Sequence, residues 1–257
     1  MNPPSQGGAP PRMKAEAADK AASHLNTAGA DRPARAGFHG NLSYRIGWTL
    51  FRALFRLYFR WRKCNPERVP DRGPAILAAN HASFLDPPLV GAPLHRAVSY
   101  LARDTLFRLP GVGWLLRSWQ AVPVDRSGAG GAGLKAVLDR LRAGHAVVLF
   151  PEGTRSPDGR IQRARSGIGL LVIKTDAPVI PVRIFGTFEA FGRGRRLPRP
   201  RRVIVKYGHP LDFSDLRAEA AAASPARLKA IYQEIANRIM EAIASLQPAE
   251  DKTRFPG

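Results

Sequence analysis

Short apolar runs alternate with stretches of helical periodicity from Pro74 onward. Runs of this length, bounded by turn-forming residues, are typical of buried strands. The predicted strands cover residues 75–79, 98–102, 121–124, 146–150, 179–184 and 203–207.

Helical patterns fill the intervals between these strands. Apolar residues recur at i, i+3, i+4 and i+7 within 134–142, and Gly144 follows where a glycine commonly ends a helix. Ser224 and Pro225 form an N-cap and first-turn pair before a final helix. Strands that alternate with helices predict an α/β domain with a mixed, largely parallel sheet flanked by helices.

Residues 42–64 show a different pattern, that of a basic amphipathic helix with many aromatic residues. If this helix spanned the membrane, Arg52 and Arg56 would lie near the bilayer centre, where inserting each arginine costs about 2.5–3.5 kcal/mol. We therefore expect it to lie in the membrane interface, with arginines on anionic headgroups and Phe55 and Phe59 in the acyl boundary. A core-packing helix and a nucleic-acid-binding helix remain alternatives.

Composition narrows the classes of partner. The 257 residues are 44% hydrophobic, enough for a sizeable core, and 40 Lys and Arg against 20 Asp and Glu give a net charge of +20. Such a charge favours anionic partners: a membrane surface, a phosphorylated substrate or nucleic acid. The single cysteine, Cys64, excludes an intramolecular disulfide and a thiolate metal cluster.

The chain divides into four segments by pattern. Residues 1–41 lack both an apolar period and the apolar core of a secretory signal, and are predicted to be a disordered tail. The amphipathic helix at 42–64 precedes a domain at 65–247 and a flexible C-terminus at 248–257. Within the domain, residues 191–202 carry six arginines and no acid, which suits lipid binding, steering of a phosphorylated donor or simple solvation.

Candidate catalytic and phosphate-binding residues follow two of the predicted strands in the sequence. His81 and Asp86 lie on a turn after the first strand, close enough for the carboxylate to accept from one ring nitrogen and leave the other as a base. After the strand at 146–150, Arg155 could bind phosphate bidentately, while Gly153 and Thr154 offer N–H groups and a hydroxyl. Ligands gather at the carboxyl ends of strands in α/β sheets.

Four segments resemble the motifs of the glycerolipid acyltransferase family, best known for the 1-acylglycerol-3-phosphate acyltransferases. The first, Asn-His-x4-Asp, corresponds to residues 80–86, and Phe-Pro-Glu-Gly-Thr-Arg-Ser corresponds to 150–156. Residues 122–126, ending in Asp125 and Arg126, and the strand residues 179–182 are similar to the remaining two.

The resemblance implies a single acyltransferase domain of this α/β class. It would transfer a fatty acyl group from a thioester of coenzyme A or acyl carrier protein to 1-acyl-sn-glycerol 3-phosphate, giving phosphatidic acid without an acyl-enzyme. His81 would be the general base and Asp86 its partner. The implied substrate-binding residues are Arg126, Glu152, Gly153, Thr154 and Arg155. The thioester is a co-substrate, and no bound cofactor, metal or nucleic acid is expected; the enzyme would work peripherally or monotopically at the cytoplasmic face of a membrane.

Other functions stay open at this stage. The acceptor could be another lysolipid, glycerol 3-phosphate or an amino-acid-derived lipid, and a basic nucleic-acid-binding or scaffold module is a non-enzymatic alternative. His81 and Asp86 could also be a structural hydrogen-bonded pair or half of a metal site, although the sequence has no compact ligand set of the kind that zinc requires. Ser83 is expected to be a turn residue because no nucleophile elbow surrounds it. Residues 109–120 are expected to pack in the core, with acyl-chain or membrane contact as the alternative.

Overall fold

A seven-stranded sheet forms the centre of the protein, in a computed structural model that describes residues 42–118, 121–124 and 131–249. The strands are β1 (Arg62–Cys64), β2 (Ala75–Ala79), β3 (Val98–Arg103), β4 (Ala121–Val124), β5 (Ala146–Leu149), β6 (Val179–Phe185) and β7 (Ile204–Tyr207). Their order is β1-β7-β6-β2-β5-β3-β4, and every neighbouring pair is parallel except β6 with β7. The predicted mixed, largely parallel sheet is therefore confirmed.

Helices cover both faces of this sheet. They are α1 (Leu42–Tyr58), α2 (Asp86–Gly91), α3 (Val112–Ser118), α4 (Gly131–Arg142), α5 (Gly167–Lys174), α6 (Thr187–Phe191), α7 (Ser214–Ala221) and α8 (Pro225–Ser245), with 3-10 turns at Pro66–Arg68 and Asp104–Arg108. The predicted start of α8 is confirmed, because the Ser224 side chain accepts a hydrogen bond from the Arg227 N–H.

The alternation of β2 divides the interior into two cores. Ala75, Leu77 and Ala79 face one side, where they pack with α1, α2 and α6. Ile76 and Ala78 face the other side, where α4, α5, α7 and α8 pack. Because both faces are covered, β2 is buried along its whole length, as expected for the central strand of a parallel sheet.

All six predicted strands are present, and one strand was not predicted. The additional strand is β1, which pairs with β7 at the edge of the sheet. The predicted tail at 1–41 lies outside the described residues. So does the predicted C-terminal segment beyond Ala249, whose carbonyl accepts a hydrogen bond from Lys206 Nζ at 2.7 Å.

The prediction of a helix over the whole of 42–64 is wrong at its C-terminal end. The chain leaves helical geometry after Tyr58, since Arg60 has a φ of 45°. Hydrogen bonds from Val203 N–H to Phe59 O and from Arg62 N–H to Val203 O then lead Arg62–Cys64 into its pairing with β7. Strand pairing satisfies the backbone groups of β7 that would otherwise be left without partners at the sheet edge. Cys64 is consequently buried in a strand rather than in the helix.

Helix α1 has two apolar faces, and this corrects the predicted membrane contact of its aromatic residues. Phe55 is only 2% exposed and, with Phe59, belongs to the core on the β2 side that contains Leu77. Leu54 and Leu57 point outward instead, and Leu57 is 81% exposed. The alternative of a core-packing helix is therefore right for the phenylalanine face only. No helix in the described ranges is long and apolar enough to cross a membrane.

Replacing Phe55 with alanine should lower the free energy of unfolding by about 3–5 kcal/mol, because it leaves a cavity in a packed core. Leu57→Ala, one half-turn along on the exposed face, should change it by less than about 0.5 kcal/mol. Urea unfolding followed by tryptophan fluorescence gives both values. Equal, small effects of the two substitutions would contradict the assignment of the phenylalanine face to the core.

Candidate active site

The two predicted chemical segments meet because the strands that carry them are neighbours. Strands β2 and β5 pair in parallel, so their carboxyl ends lie at the same edge of the sheet. Two hydrogen bonds join the segments there: His81 N–H donates to Glu152 Oε1 at 3.0 Å, and Ser156 N–H donates to His81 O at 2.7 Å. The predicted proximity of these segments is thus present in the structure.

His81 and Asp86 form a hydrogen-bonded dyad. His81 Nδ1 lies 2.9 Å from Asp86 Oδ2, and the carboxylate is fully buried. The same oxygen accepts from the N–H groups of Ala82 and Ser83 at 2.6 and 2.7 Å. With the Nδ1 proton directed at Asp86, the lone pair of Nε2 is available as a base. The Phe150 ring stacks on the imidazole, 4.0 Å between centroids, and limits its rotation.

Asn80 has a structural role that the sequence did not reveal. Its side-chain amide donates to Ile184 O at 3.1 Å and accepts from Ile184 N–H at 2.7 Å. The amide therefore continues the pairing of β2 with β6 by one residue beyond the strand. This anchors the backbone immediately before His81, and an asparagine placed directly after a buried strand is the only sequence signal for it.

Glu152 lies behind the dyad rather than at its solvent side. Its side chain is buried, and Oε1 accepts the hydrogen bond from the His81 backbone. Burial raises the pKa of this carboxyl to about 7, and the nearby charge of Asp86 adds to the increase. Substrate binding by Glu152 stays a prediction; in the structure its Oε1 supports the backbone of the His81 turn.

Gly153, Thr154 and Arg155 lead out from Glu152 towards solvent. Gly153 has a φ of 73°, and a Cβ at this position would lie 2.7 Å from Arg165 Nε, so glycine suits both the backbone and the space. Thr154 is exposed, and the Arg155 guanidinium lies over the ring of Phe84. Arg126, the other predicted phosphate ligand, lies outside the described residues.

A cavity of about 570 Å³ opens beside His81. Its wall combines an apolar part with polar and basic groups, which come from Thr105, Thr154, Arg103, Arg155 and Arg193. The apolar part is formed by Phe84, Pro87, Pro88, Tyr100, Leu101, Ala102, Leu106, Leu116 and Ala121. An apolar cavity with a histidine base and arginines can hold a hydrocarbon chain together with an anionic group.

Residues 109–120 were expected to pack in the core, and Trp114 contradicts this. Its side chain is exposed, as are Leu109 and Val112, while Leu116 lines the cavity. Helix α3 is short and lies beside β4, the edge strand of the sheet.

Ser83 is a turn residue, as predicted. It is fully buried, its hydroxyl donates to Phe191 O at 2.7 Å, and it accepts from the Leu85 N–H. In the described part of the chain, no cluster of three or more His, Cys, Asp or Glu residues is arranged to hold a metal ion.

Comparisons with known proteins connect this geometry to a family. A profile of the family described as Acyltransferase matches residues 60–185. The 1-acyl-sn-glycerol-3-phosphate acyltransferase of Bacillus subtilis is 28% identical over 179 residues, which cover 69% of this chain and 85% of that protein. Among solved structures, the 1-acyl-sn-glycerophosphate acyltransferase PlsC from Thermotoga maritima has a TM-score of 0.61 at 27% identity, covering 80% of this chain and 81% of the other.

A plant relative matches over a shorter part of its length. The chloroplastic 1-acyl-sn-glycerol-3-phosphate acyltransferase of Brassica napus is 30% identical over 145 residues, or 55% of this chain, and these span 40% of that protein. The range matched by the family profile includes the His81–Asp86 turn and the segment from Phe150 to Ser156. Residues 60–185, just under half of the chain, match the acyltransferase family.

Proposed function

We propose that this protein is an O-acyltransferase that acylates the free hydroxyl of 1-acyl-sn-glycerol 3-phosphate and forms phosphatidic acid. The observation that carries the proposal is the His81–Asp86 dyad at the wall of an apolar cavity that also contains Arg155. The names of the similar proteins from Bacillus subtilis and Thermotoga maritima support the same acceptor. An assay in mixed micelles, offering several lysolipids and glycerol 3-phosphate with acyl-CoA or acyl carrier protein donors, tests it.

His81 would act as the general base. Nε2 takes the proton of the acceptor hydroxyl while the hydroxyl oxygen forms a bond to the thioester carbonyl carbon. The tetrahedral intermediate then loses the thiolate as the carbon–sulfur bond breaks, and the imidazolium returns the proton to the sulfur. Asp86 fixes the Nδ1–H tautomer and stabilises the imidazolium between these two steps. Glu152, through its bond to the His81 backbone, is a positioning residue in this scheme.

The acceptor phosphate would lie at the exposed end of the segment that follows β5. Arg155 can donate two parallel N–H bonds to phosphate oxygens, and the Thr154 hydroxyl can contact a remaining oxygen. The Gly153 N–H donates to Phe150 O at 2.9 Å, so Gly153 would contribute the shape of the turn and not a donor. Arg126 is a further proposed ligand, from its position in the sequence. The apolar part of the cavity would hold a fatty acyl chain, and the donor would be a thioester of coenzyme A or acyl carrier protein.

We also propose that the protein works peripherally at the cytoplasmic face of a membrane, where anionic lipids attract basic surfaces. The contact would use Leu54 and Leu57 on the exposed face of α1, with Arg56 and Arg60 next to them. The leucines are exposed and can contact lipid, whereas the neighbouring phenylalanines are buried in the core. Their apolar side chains can enter the acyl boundary while the arginines meet the headgroups.

The arginine-rich segment 192–202 would belong to the same membrane contact. Tyr58, at the end of α1, donates a hydrogen bond from its hydroxyl to Pro198 O at 3.0 Å, which joins the two elements. Leu197 precedes that proline and is largely exposed, and the arginines of the segment carry no acidic partner within it. The combination of an exposed leucine and unbalanced positive charge matches an anionic bilayer surface.

His81→Ala should reduce kcat by roughly 10²- to 10⁴-fold, because it removes the proposed base and leaves the cavity in place. The measurement is the steady-state rate with the best acceptor of the panel. His95→Ala is the matched control, since His95 is exposed and lies in a separate depression with Pro66, Glu67 and Arg96. Near-normal turnover by His81→Ala would end the proposed mechanism.

Arg155→Ala should raise KM for 1-acylglycerol 3-phosphate by about 10- to 100-fold, the loss expected for charge-assisted hydrogen bonds. The KM for the acyl donor and for a neutral monoacylglycerol should change much less, because neither needs the proposed phosphate contact. Arg163→Ala, at an exposed position of the same connection, controls for the loss of one surface charge. Equal increases in KM for phosphorylated and neutral acceptors would argue for a structural role of Arg155.

The double substitution Leu54→Ser and Leu57→Ser should weaken sedimentation with vesicles that contain anionic phosphatidylglycerol by about tenfold or more, because two apolar side chains lose their place in the acyl boundary. Arg196→Ser with Arg199→Ser should weaken vesicle binding at low salt only. At 1 M salt the Debye length is about 3 Å, so the electrostatic attraction is already screened in the wild type.

Arg142→Ser with Lys229→Ser is the matched control for net charge. Both residues are exposed, on α4 and α8, which cover the opposite face of the sheet. If this control weakens vesicle binding as much as the arginine pair of segment 192–202, attraction depends on total charge and not on the proposed surface.

A further inference from the structure

Phe84 is a large apolar residue in the middle of the catalytic turn, and its side chain is 62% exposed. Its neighbours Ala82, Ser83 and Asp86 are buried. The proposed reaction gives Phe84 no chemical role, although it lies between the base and its carboxylate in the sequence. Its contacts therefore indicate what the exposed ring does.

The ring supports the guanidinium of Arg155. The central carbon of the guanidinium lies 3.5 Å from the centroid of the Phe84 ring. At this distance the positive charge is attracted by the negative face of the ring, and the planar group can stack on it. Stacking uses the face of the guanidinium and leaves its N–H groups, which lie in its plane, able to donate to a phosphate.

The Phe84 ring is itself held in place. Asp86 closes the turn through its bonds to the N–H groups of Ala82 and Ser83. The Ser83 hydroxyl donates to Phe191 O, and the Phe191 ring lies 6.1 Å from the Phe84 ring, centroid to centroid. The platform under Arg155 is thus part of the same turn that carries His81, so the geometry of phosphate recognition is tied to that of the base.

We infer that Phe84 is a positioning residue for recognition of the acceptor phosphate. Its ring holds Arg155 in one orientation at the cavity, which reduces the side-chain entropy that a long arginine loses when it binds a ligand. Phe84 thereby favours acceptors with a phosphate monoester over neutral lysolipids. The inference rests on the proposed function of Arg155 and adds the residue through which that function is made selective.

The test compares Phe84→Leu with Phe84→Tyr. Leucine fills similar space without an aromatic face and should raise KM for 1-acylglycerol 3-phosphate by about two- to fivefold, the ratio that corresponds to a cation–π contact at an exposed site. Tyrosine keeps the face and should restore the wild-type KM. Because Phe84 also lines the cavity, the readout is the ratio of KM for 1-acylglycerol 3-phosphate to KM for a neutral monoacylglycerol. A change in acyl-chain contact affects both values alike, whereas loss of the stacking contact should raise the ratio.

Two further measurements distinguish a positioning role of Phe84 from a purely structural one. In an Arg155→Ala background, Phe84→Leu should cause no additional rise in the ratio of KM for the phosphorylated acceptor to KM for the neutral one, because the two residues act as a unit in phosphate recognition. Phe185→Leu is the matched control: Arg183 lies over the Phe185 ring at 4.7 Å, and Phe185 does not line the cavity beside His81. This control should leave the KM for both acceptors unchanged.

Three results would overturn the inference. The first is a rise in KM with Phe84→Leu that is equal for phosphorylated and neutral acceptors, and the second is full additivity with Arg155→Ala. The third is an unchanged KM with Phe84→Leu while Arg155→Ala raises it, which leaves the proposed function intact. If Arg155→Ala itself leaves KM unchanged, the phosphate role of Arg155 and the inference built on it both fail.

Discussion

The buried carboxylate of Asp86 is the group on which the geometry of the active-site turn depends. A carboxylate removed from water is costly unless hydrogen-bond donors replace the lost solvation. Here two backbone N–H groups and the His81 ring converge on one oxygen. Satisfying that oxygen closes the backbone between His81 and Asp86, sets the tautomer of the imidazole and starts α2. The spacing of the two residues in the sequence therefore reflects the reach of one short side chain across a tight turn.

The order of strands extends this constraint to the rest of the site. Strand β2 lies between β6 and β5, so the turn after it has a neighbour on each side. Asn80 attaches it to Ile184 on one side, and His81 attaches it to Glu152 and Ser156 on the other. His81 is thus held by two strands at once, while the Arg155 guanidinium of the adjacent connection lies over the Phe84 ring. The geometry of the candidate site therefore depends on the carboxyl edge of the sheet rather than on any single loop.

The sequence predicted what depends on local pattern and missed what depends on the surroundings. Apolar runs with turn residues at their ends located the strands, and the family motifs located the dyad. Periodicity predicted one basic face on this helix with apolar residues over the rest, and it did not indicate that Phe55 would be buried in the core. Strand β1 is only three residues long and forms because it pairs with β7, so no apolar run in the sequence predicts it. The contact of Phe84 with Arg155 joins distant segments and follows only from the parallel pairing of β2 and β5.

The two faces of α1 have a practical consequence for preparing the protein without detergent. Removing the helix would expose the core residues that Phe55 and Phe59 cover and would leave Arg62–Cys64 as a detached edge strand. A more soluble form is better obtained by replacing the exposed Leu54 and Leu57 with polar residues. This removes apolar surface and keeps Phe55 and Phe59 packed in the core. If α1 makes the proposed membrane contact, one helix would serve both folding and membrane binding, and deleting it would remove both at once.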